Sequence, residues 1–416
     1  MVEEKKQIVM NCQQKFVVSH PTGNTFVRAL LHQLNDQNQL EKFFTTIGVG
    51  GGANSLTSAL CGEKRQYPIP DKKISRQCVP EIARLLSKGN QEKKRRRVDL
   101  SYQALDRKVS RLLSNHSSQI LHAYEDGCSD SFARAKQLGM QCSYELPIAH
   151  WATVRRLLAE ETQRYPEWEP TLESTREPEE KLFRKEEEVR LADRITCPSQ
   201  FVLDSIPLEI RKKTPCQISP FGSPPHEPVD FESSPKNDVL KLLFVGSMSQ
   251  RKGLADLFEA MKLLKCKPVS LSILGQPSMP MEFYRKQFAE FEYFLPCSNH
   301  KVREIMKVHD ALVLPSIVEG RALVQQEALS CGLPIIVTPN AGGEDLVEEG
   351  KTGHLVPIRS PEKIAEAISS LLADRNNQAD IRKLCQKKAI QYTWENYAQK
   401  IVDFNLSNHT QRLEIA

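Results

Sequence analysis

The chain has no long hydrophobic run. Among its 416 residues, no apolar stretch approaches the roughly 18 residues that would read as a membrane-spanning helix. Its 11 cysteines include no Cys-x-x-Cys pair. This argues against the common zinc and dithiol motifs and predicts reduced, mostly buried thiols. The opening Met-Val-Glu-Glu-Lys-Lys lacks the apolar core of a signal peptide, so a cytoplasmic protein is expected. No Gly-x-Gly-x-x-Gly follows the early strands, which disfavours a nicotinamide-dependent dehydrogenase. No Asp-x-Asp metal motif occurs in the second half. Charge is balanced to a net +5, too mild to imply a nucleic-acid partner.

Apolar residues make up 40% and charged residues 26%, ordinary for a globular chain long enough for two or three domains. The early part reads as alternating strands and helices, the pattern of an α/β fold with parallel sheets. Short strands are expected at Gln7–Met10, Phe16–Ser19, Phe43–Val49, Ser118–Tyr124 and Gln141–Tyr144, with helices at Thr25–Leu34 and Ser129–Leu138. The turn His20–Asn24 carries Gly23, where backbone could approach a ligand closely. Gly50–Ser55 reads as a loop. Strand ends face the ligand crevice in open α/β sheets, which makes Glu125, Asp126, Glu145 and His150 candidates. The segment 155–190 is charge-rich and broken by prolines, and Arg184–Leu191 reads as an exposed helix. Glu227–Asp238 has linker composition, and the domain boundary is expected near residue 235.

Lys93-Lys-Arg-Arg-Arg97 is the densest charge cluster. It reads either as a solvated loop or helix end, or as a contact with a membrane surface or charged acceptor. Nucleic acid is disfavoured because no aromatic residues interleave with the basic ones.

The second half is more specific. Val239–Val245 reads as a strand. The loop Gly246-Ser-Met-Ser-Gln-Arg-Lys-Gly253 leads into a helix, Leu254–Leu264. Arg251 and Lys252 at a helix start suit a bound anion better than the bare helix dipole. Further strands are expected at Ser270–Gly275, Phe291–Leu295 and Pro334–Thr338, and a helix at Ser298–Met306. Glu319-Gly-Arg-Ala-Leu-Val-Gln-Gln-Glu327 puts two carboxylates seven residues apart, at a loop and in the first turn of a helix. Such a helix start offers free amides to a phosphate, and the carboxylates suit sugar and ribose hydroxyls.

Four segments together carry a resemblance: Leu243–Leu254, His309–Ser316, Glu319–Asn340, and Ala341–Asp345 with Gly350–Pro357. In this order they resemble the donor domain of the family-four (group 1) retaining glycosyltransferases. The resemblance implies a GT-B fold, two Rossmann-like domains facing across a cleft. The expected division is an acceptor domain at 1–235 and a nucleotide-sugar domain at 236–393. A C-terminal helix at 394–416 would cross back to the first domain. Leu191–Phe201 resembles the last strand of the first domain.

The implied activity is retaining, metal-independent hexosyl transfer from a nucleotide-diphosphate-sugar, a UDP-sugar before a GDP-sugar. The acceptor is unidentified: a glycan, a lipid-linked acceptor or a small molecule. Glu319 would hold the donor sugar and Glu327 the ribose, while Arg251 and Lys252 grip the diphosphate. Gly23, Gly246, Ser247, Gly320, Arg321, Leu323 and Val324 complete the donor contacts. Ser247 stands where relatives often have arginine. Arg321 and Ala322 replace an aromatic and a glycine, and Arg321 adds charge beside the donor. Relatives place a catalytic histidine where this chain has Pro147, and His150, three residues on, is the replacement considered. Without that histidine, a non-catalytic GT-B partner subunit is an alternative. A nucleotide-sugar epimerase is another.

Overall fold

The computed structural model describes residues 14–52, 65–87, 91–172, 177–225 and 239–407. The strand expected at Gln7–Met10, the end of the Gly50–Ser55 loop, and the linker Glu227–Asp238 with the boundary at 235 lie outside these residues.

The first half alternates strands and helices. In chain order these are β1 (Phe16–Ser19), α1 (Thr25–Asp36), β2 (Leu40–Thr45), β3 (Val49–Gly51), β4 (Gln66–Pro70), β5 (Ile74–Arg76), α2 (Cys78–Leu85) and α3 (Gln91–Leu112). Then come β6 (Ile120–Tyr124), α4 (Ser129–Gln137), β7 (Gln141–Glu145), α5 (Trp151–Arg164), α6 (Glu179–Leu191), β8 (Arg194–Cys197) and β9 (Cys216–Ile218). Seven strands form one sheet in the order β5-β2-β1-β6-β7-β8-β9. Its pairs β5–β2, β2–β1, β1–β6 and β8–β9 are parallel. Every residue of β1 and β6 is buried, as strands covered on both faces require.

The second half follows with β10 (Leu240–Val245), α7 (Leu254–Leu263), β11 (Val269–Leu274), α8 (Met281–Gln287), β12 (Phe291–Phe294), α9 (Asn299–Lys307) and β13 (Ala311–Leu314). The last elements are α10 (Leu323–Ser330), β14 (Ile335–Val337), β15 (Gly353–Leu355), α11 (Pro361–Ala373), α12 (Gln378–Ala389) and α13 (Trp394–Leu406). The six strands form an all-parallel sheet in the order β12-β11-β10-β13-β14-β15. Numbered within the sheet, this is the doubly wound order 3-2-1-4-5-6. The winding reverses between β10 and β13, where such sheets bind ligands.

Two expectations shift, and one alternative is decided. The strand expected at Phe43–Val49 is β2, ending at Thr45. Of the loop or helix end read for Lys93–Arg97, the structure has the helix end, in the first turns of α3. Leu191–Phe201 holds β8, but β9 follows it in the sheet.

The chain packs as two compact units, Met1–Tyr144 with Arg190–Arg194 and Ile401–Ala416, and Glu145–Val189 with Ile195–Lys400. The span 1–235 is therefore not one packing unit. Segment 145–189 joins the second unit because Trp168 is buried in that unit's core. Its ring lies 5.0 to 6.0 Å from those of Phe258, Phe283 and Tyr284. Aromatic contacts at such distances add to an already large burial term. In the same way α6 is not an exposed helix, since Leu182, Lys185, Glu188 and Val189 are buried.

Candidate active site

Two loops leave the C-terminal ends of the neighbouring strands β10 and β13. They meet backbone to backbone at Gly253, whose φ is +73° and whose Cβ, if present, would lie 2.0 Å from the Pro315 carbonyl oxygen. No L-residue fits there without moving a loop. The Ile317 amide donates to the Arg251 carbonyl at 2.9 Å, and Arg251 Nη1 donates to the Val318 carbonyl at 3.0 Å. The loops are thus zipped over the point where the sheet reverses.

This docking brings three charges together. Glu319 Oε1 lies 2.6 Å from Arg251 Nη1 and 2.5 Å from Lys252 Nζ. Lys252 is buried, and its stem runs against Gly246, where an added Cβ would sit 3.4 Å from Lys252 Cε. Burial lowers the Lys252 pKa, against the upward pull of Glu319. The cluster joins Arg251, Lys252 and Glu319, which the sequence had assigned to different parts of one ligand. Ser247, in the same loop, places its hydroxyl 3.2 Å from that of Ser249.

Gly320 explains itself by contact. A Cβ there would fall 1.7 Å from the Pro147 carbonyl oxygen, and one at Gly342 would fall 1.9 Å from the Gly320 carbonyl oxygen. Ser199 Oγ donates to that Gly320 carbonyl at 2.6 Å. The acidic loop is wedged between Pro147 and Gly342. Helix α10 then begins with Leu323 and Val324, after an N-cap, Ala322, that has no side-chain cap. Among the described residues, the Leu323 and Val324 amides donate to no backbone acceptor, as at any helix start.

With this geometry in place, similarity to known proteins can be set beside it. Residues 227–388 match the family model of glycosyl transferases group 1. The chain is 28% identical over 174 residues to D-inositol 3-phosphate glycosyltransferase of Corynebacterium urealyticum, covering 38% of this chain and 41% of that protein. It is 24% identical over 177 residues to alpha-maltose-1-phosphate synthase of Mycolicibacterium smegmatis, covering 38% and 46%. The match therefore spans less than half the length of these relatives. Fold similarity extends further. Sucrose-phosphate synthase from Thermosynechococcus elongatus superposes with a TM-score of 0.67 at 18% identity, over 94% of this chain and 98% of that one. Anabaena HepE in complex with UDP superposes with a TM-score of 0.60 at 15% identity, over 94% and 99%. The fold is that of the GT-B glycosyltransferases.

Some expected site residues stand outside the cluster. Arg321 is buried and bonds Asp345 at 2.7 and 3.1 Å, the Gly342 carbonyl at 3.0 Å and Gln326 Oε1 at 3.1 Å. Tyr392 lies 5.0 Å beneath it. Its charge is matched by Asp345 within the same unit. Glu327 is the fifth residue of α10 and not in its first turn. Burial raises its pKa, and Arg303 partly offsets this.

His150 caps α5. Its Nδ1 accepts from the Ala152 amide at 3.4 Å, Nε2 lies 3.4 Å from Glu186 Oε2, and the ring is buried. Burial lowers its pKa, with Glu186 opposing. It does not join the cluster, whereas Pro147 does touch the acidic loop. The position is at the site, but its occupant carries no acid or base. Glu145 is buried and accepts from Tyr397 Oη at 2.5 Å. Gly23, in the first unit, lies in the loop between β1 and α1 without a positive φ. Asp126 has a φ of +74° just after β6, and Glu125 precedes it.

Sequence reasoning missed the support under the loop. Gln250, next to Arg251, is fully buried and bonds four groups. Its Nε2 donates to Glu161 Oε2 at 2.7 Å and Asp256 Oδ2 at 2.8 Å, its Oε1 accepts from the Ala255 amide at 2.9 Å, and its own amide donates to Thr171 Oγ1 at 3.1 Å. Arg359 bonds Glu161 and Glu160, and Arg164 bonds Asp256 at 2.6 Å. Glu161 and Gln250 lie 89 positions apart, so no local pattern links them. The one available signal was a glutamine directly before the basic pair of the loop.

Proposed function

We propose that the protein is a retaining glycosyltransferase that moves a hexosyl unit from a nucleotide-diphosphate-sugar to an acceptor. The observation that carries this reading is the meeting of Arg251 and Lys252 on one oxygen of Glu319 at the sheet's switch point. In a sugar nucleotide the diphosphate and the sugar hydroxyls flank the bond that breaks. A site with two cations and a carboxylate in contact matches that junction.

Bond cleavage develops negative charge on the leaving diphosphate and positive charge on the sugar ring. Arg251, Lys252 and the Leu323 and Val324 amides would stabilise the diphosphate, so no metal is needed for that charge. Glu319, whose Oε2 takes part in neither ion pair, would hold a sugar hydroxyl. Glu327 would take the ribose. Pro147 in place of a histidine leaves the acceptor's proton to another group. Attack from the face the diphosphate leaves would retain the anomeric configuration.

UDP-sugars are the first donors to try, because a relative in fold, HepE, has been solved with UDP and glucose and with UDP-glucose. The test is release of UDP from UDP-hexoses, with GDP- and ADP-hexoses alongside, in EDTA, and with the product's anomeric coupling read by NMR. Turnover in EDTA with an α-linked product from an α-linked donor supports the reading. A β-linked product contradicts retention, and activity abolished by EDTA contradicts metal independence. Interconversion of the sugar nucleotides without loss of UDP would favour an epimerase.

A further inference from the structure

Helix α2 is built inside out. An amphipathic helix ordinarily buries its apolar stripe and exposes its charges. In α2 the only buried residue is Glu81. It accepts from Arg65 at 2.8 Å, from Arg84 at 2.7 and 2.8 Å, and from Ser101 at 3.1 Å on the neighbouring α3. These bonds fix the rotation of α2. Val79 and Leu86 are then each 78% exposed, with Ile82 and Leu85 exposed between them. Positions 79, 82 and 86 share one face at the i, i+3, i+7 spacing. Four adjacent exposed aliphatic side chains are not the scattered apolar residues of an ordinary surface.

The neighbouring helix supplies the complementary feature. Helix α3 packs on α2, with Arg97 Nη1 donating to the Ala83 carbonyl at 3.0 Å. Its 22 residues contain eight Lys or Arg against three Asp or Glu. One acid, Asp106, is buried and accepts from the Asp130 and Ser131 amides. Of the others, Glu92 is exposed and Asp99 half-buried. Lys93, Arg96, Leu100, Arg107 and Arg111 are exposed at helical spacing along one stripe. A comb of aliphatic residues beside a cationic helix has the composition of an interfacial anchor. The apolar side chains enter the acyl boundary and the long basic ones reach the headgroups.

We propose that α2 and the exposed stripe of α3 form a docking surface for an anionic membrane. The partner is the bilayer face and not a protein, because α3 carries eight basic residues against three acidic ones, which suits a surface of anionic headgroups, and the exposed side chains beside it are aliphatic. This assignment stands independently of the transferase reading.

The test is co-sedimentation of the full chain with vesicles of phosphatidylcholine alone and of phosphatidylcholine with phosphatidylserine. Binding is expected only to the anionic vesicles, weakening as salt rises. Arg96→Gln with Arg107→Gln should weaken partition about fivefold per charge removed. Val79→Ser with Leu86→Ser should weaken it at least about tenfold, with circular dichroism unchanged. Absence of sedimentation with anionic vesicles, or equal sedimentation by wild type and both variants, would overturn the proposal. So would concentration-dependent dimerisation in light scattering that Leu86→Ser abolishes, since the face would then belong to a second copy. If the serine variant misfolds, the glutamine pair alone decides.

Discussion

The two units handle charge in opposite ways. In the second, ionic groups are drawn inward and joined to one another: Arg251 and Lys252 on Glu319, and Arg359 on Glu161. In the first, the inward pairs Arg65–Glu81 and Arg84–Glu81 turn a helix so that aliphatic side chains face out. The same physics, a buried carboxylate that must be matched by cations, organises a chemical site in one case and a surface in the other. What differs is the location. Arg251, Lys252 and Glu319 sit in the loops that follow β10 and β13, where a parallel sheet reverses, whereas Glu81 sits on a helix whose rotation its partners fix.

The sharpest way to break this contrast is to remove a cation from the cluster. Lys252→Ala should lower kcat/KM by about a hundred- to a thousandfold, the size of the loss when one preorganised charge-stabilising donor is removed. Steady-state rates with the preferred donor measure it. An intact rate would mean that the pairing with Glu319 is only structural.

The support beneath the loop comes next. Glu161→Ala strips Gln250 and Arg359 of a shared buried partner and should cost about 3 kcal/mol of stability, read by urea denaturation.

The first unit offers a pH signature of similar size. Burial, with the nearby His122 adding and a hydrogen bond to Thr22 opposing, holds the His20 pKa at about 4 instead of 6.5. The unfolded chain therefore binds a proton between those values that the folded chain refuses. Stability should be lost as pH falls from 6.5 to 4, by up to about 3 kcal/mol. His20→Asn should flatten that part of the curve. Identical pH slopes for the two proteins would contradict the burial argument.

Arg321→Lys loses the two-pronged bond to Asp345 and should cost about 1–2 kcal/mol. Val79→Ser should change the melting free energy by less than about 0.5 kcal/mol, because an exposed side chain has little packing to lose.

The same contrast explains what the sequence could reveal. β10, β13 and the loops after them were legible because each strand is a short apolar run closed by glycine or proline. The loop residues there also carry chemistry at fixed spacing. The limits of β1 and the starts of α1 and α4 followed from pattern alone. Side-chain partners were not legible. Arg321 stands one residue from Gly320 and reads as a ligand contact, yet the fold supplies Asp345 from 24 residues away. His150 reads as a loop histidine, yet it begins a helix. Trp168 lies before the linker but is buried in the second unit's core. Apolar residues at 79, 82 and 86 read as a core-facing stripe. The buried Glu81 turns them outward, and only the positions of Arg65 and Ser101 reveal it.

The central claim is that Arg251, Lys252 and Glu319 form a diphosphate site. The direct measurement is calorimetric titration of wild type and Lys252→Ala with uridine, UMP and UDP. The account predicts that affinity rises from uridine to UDP in the wild type and that the gain from the second phosphate is lost in the variant. Equal preference for UDP over UMP in both proteins would contradict it.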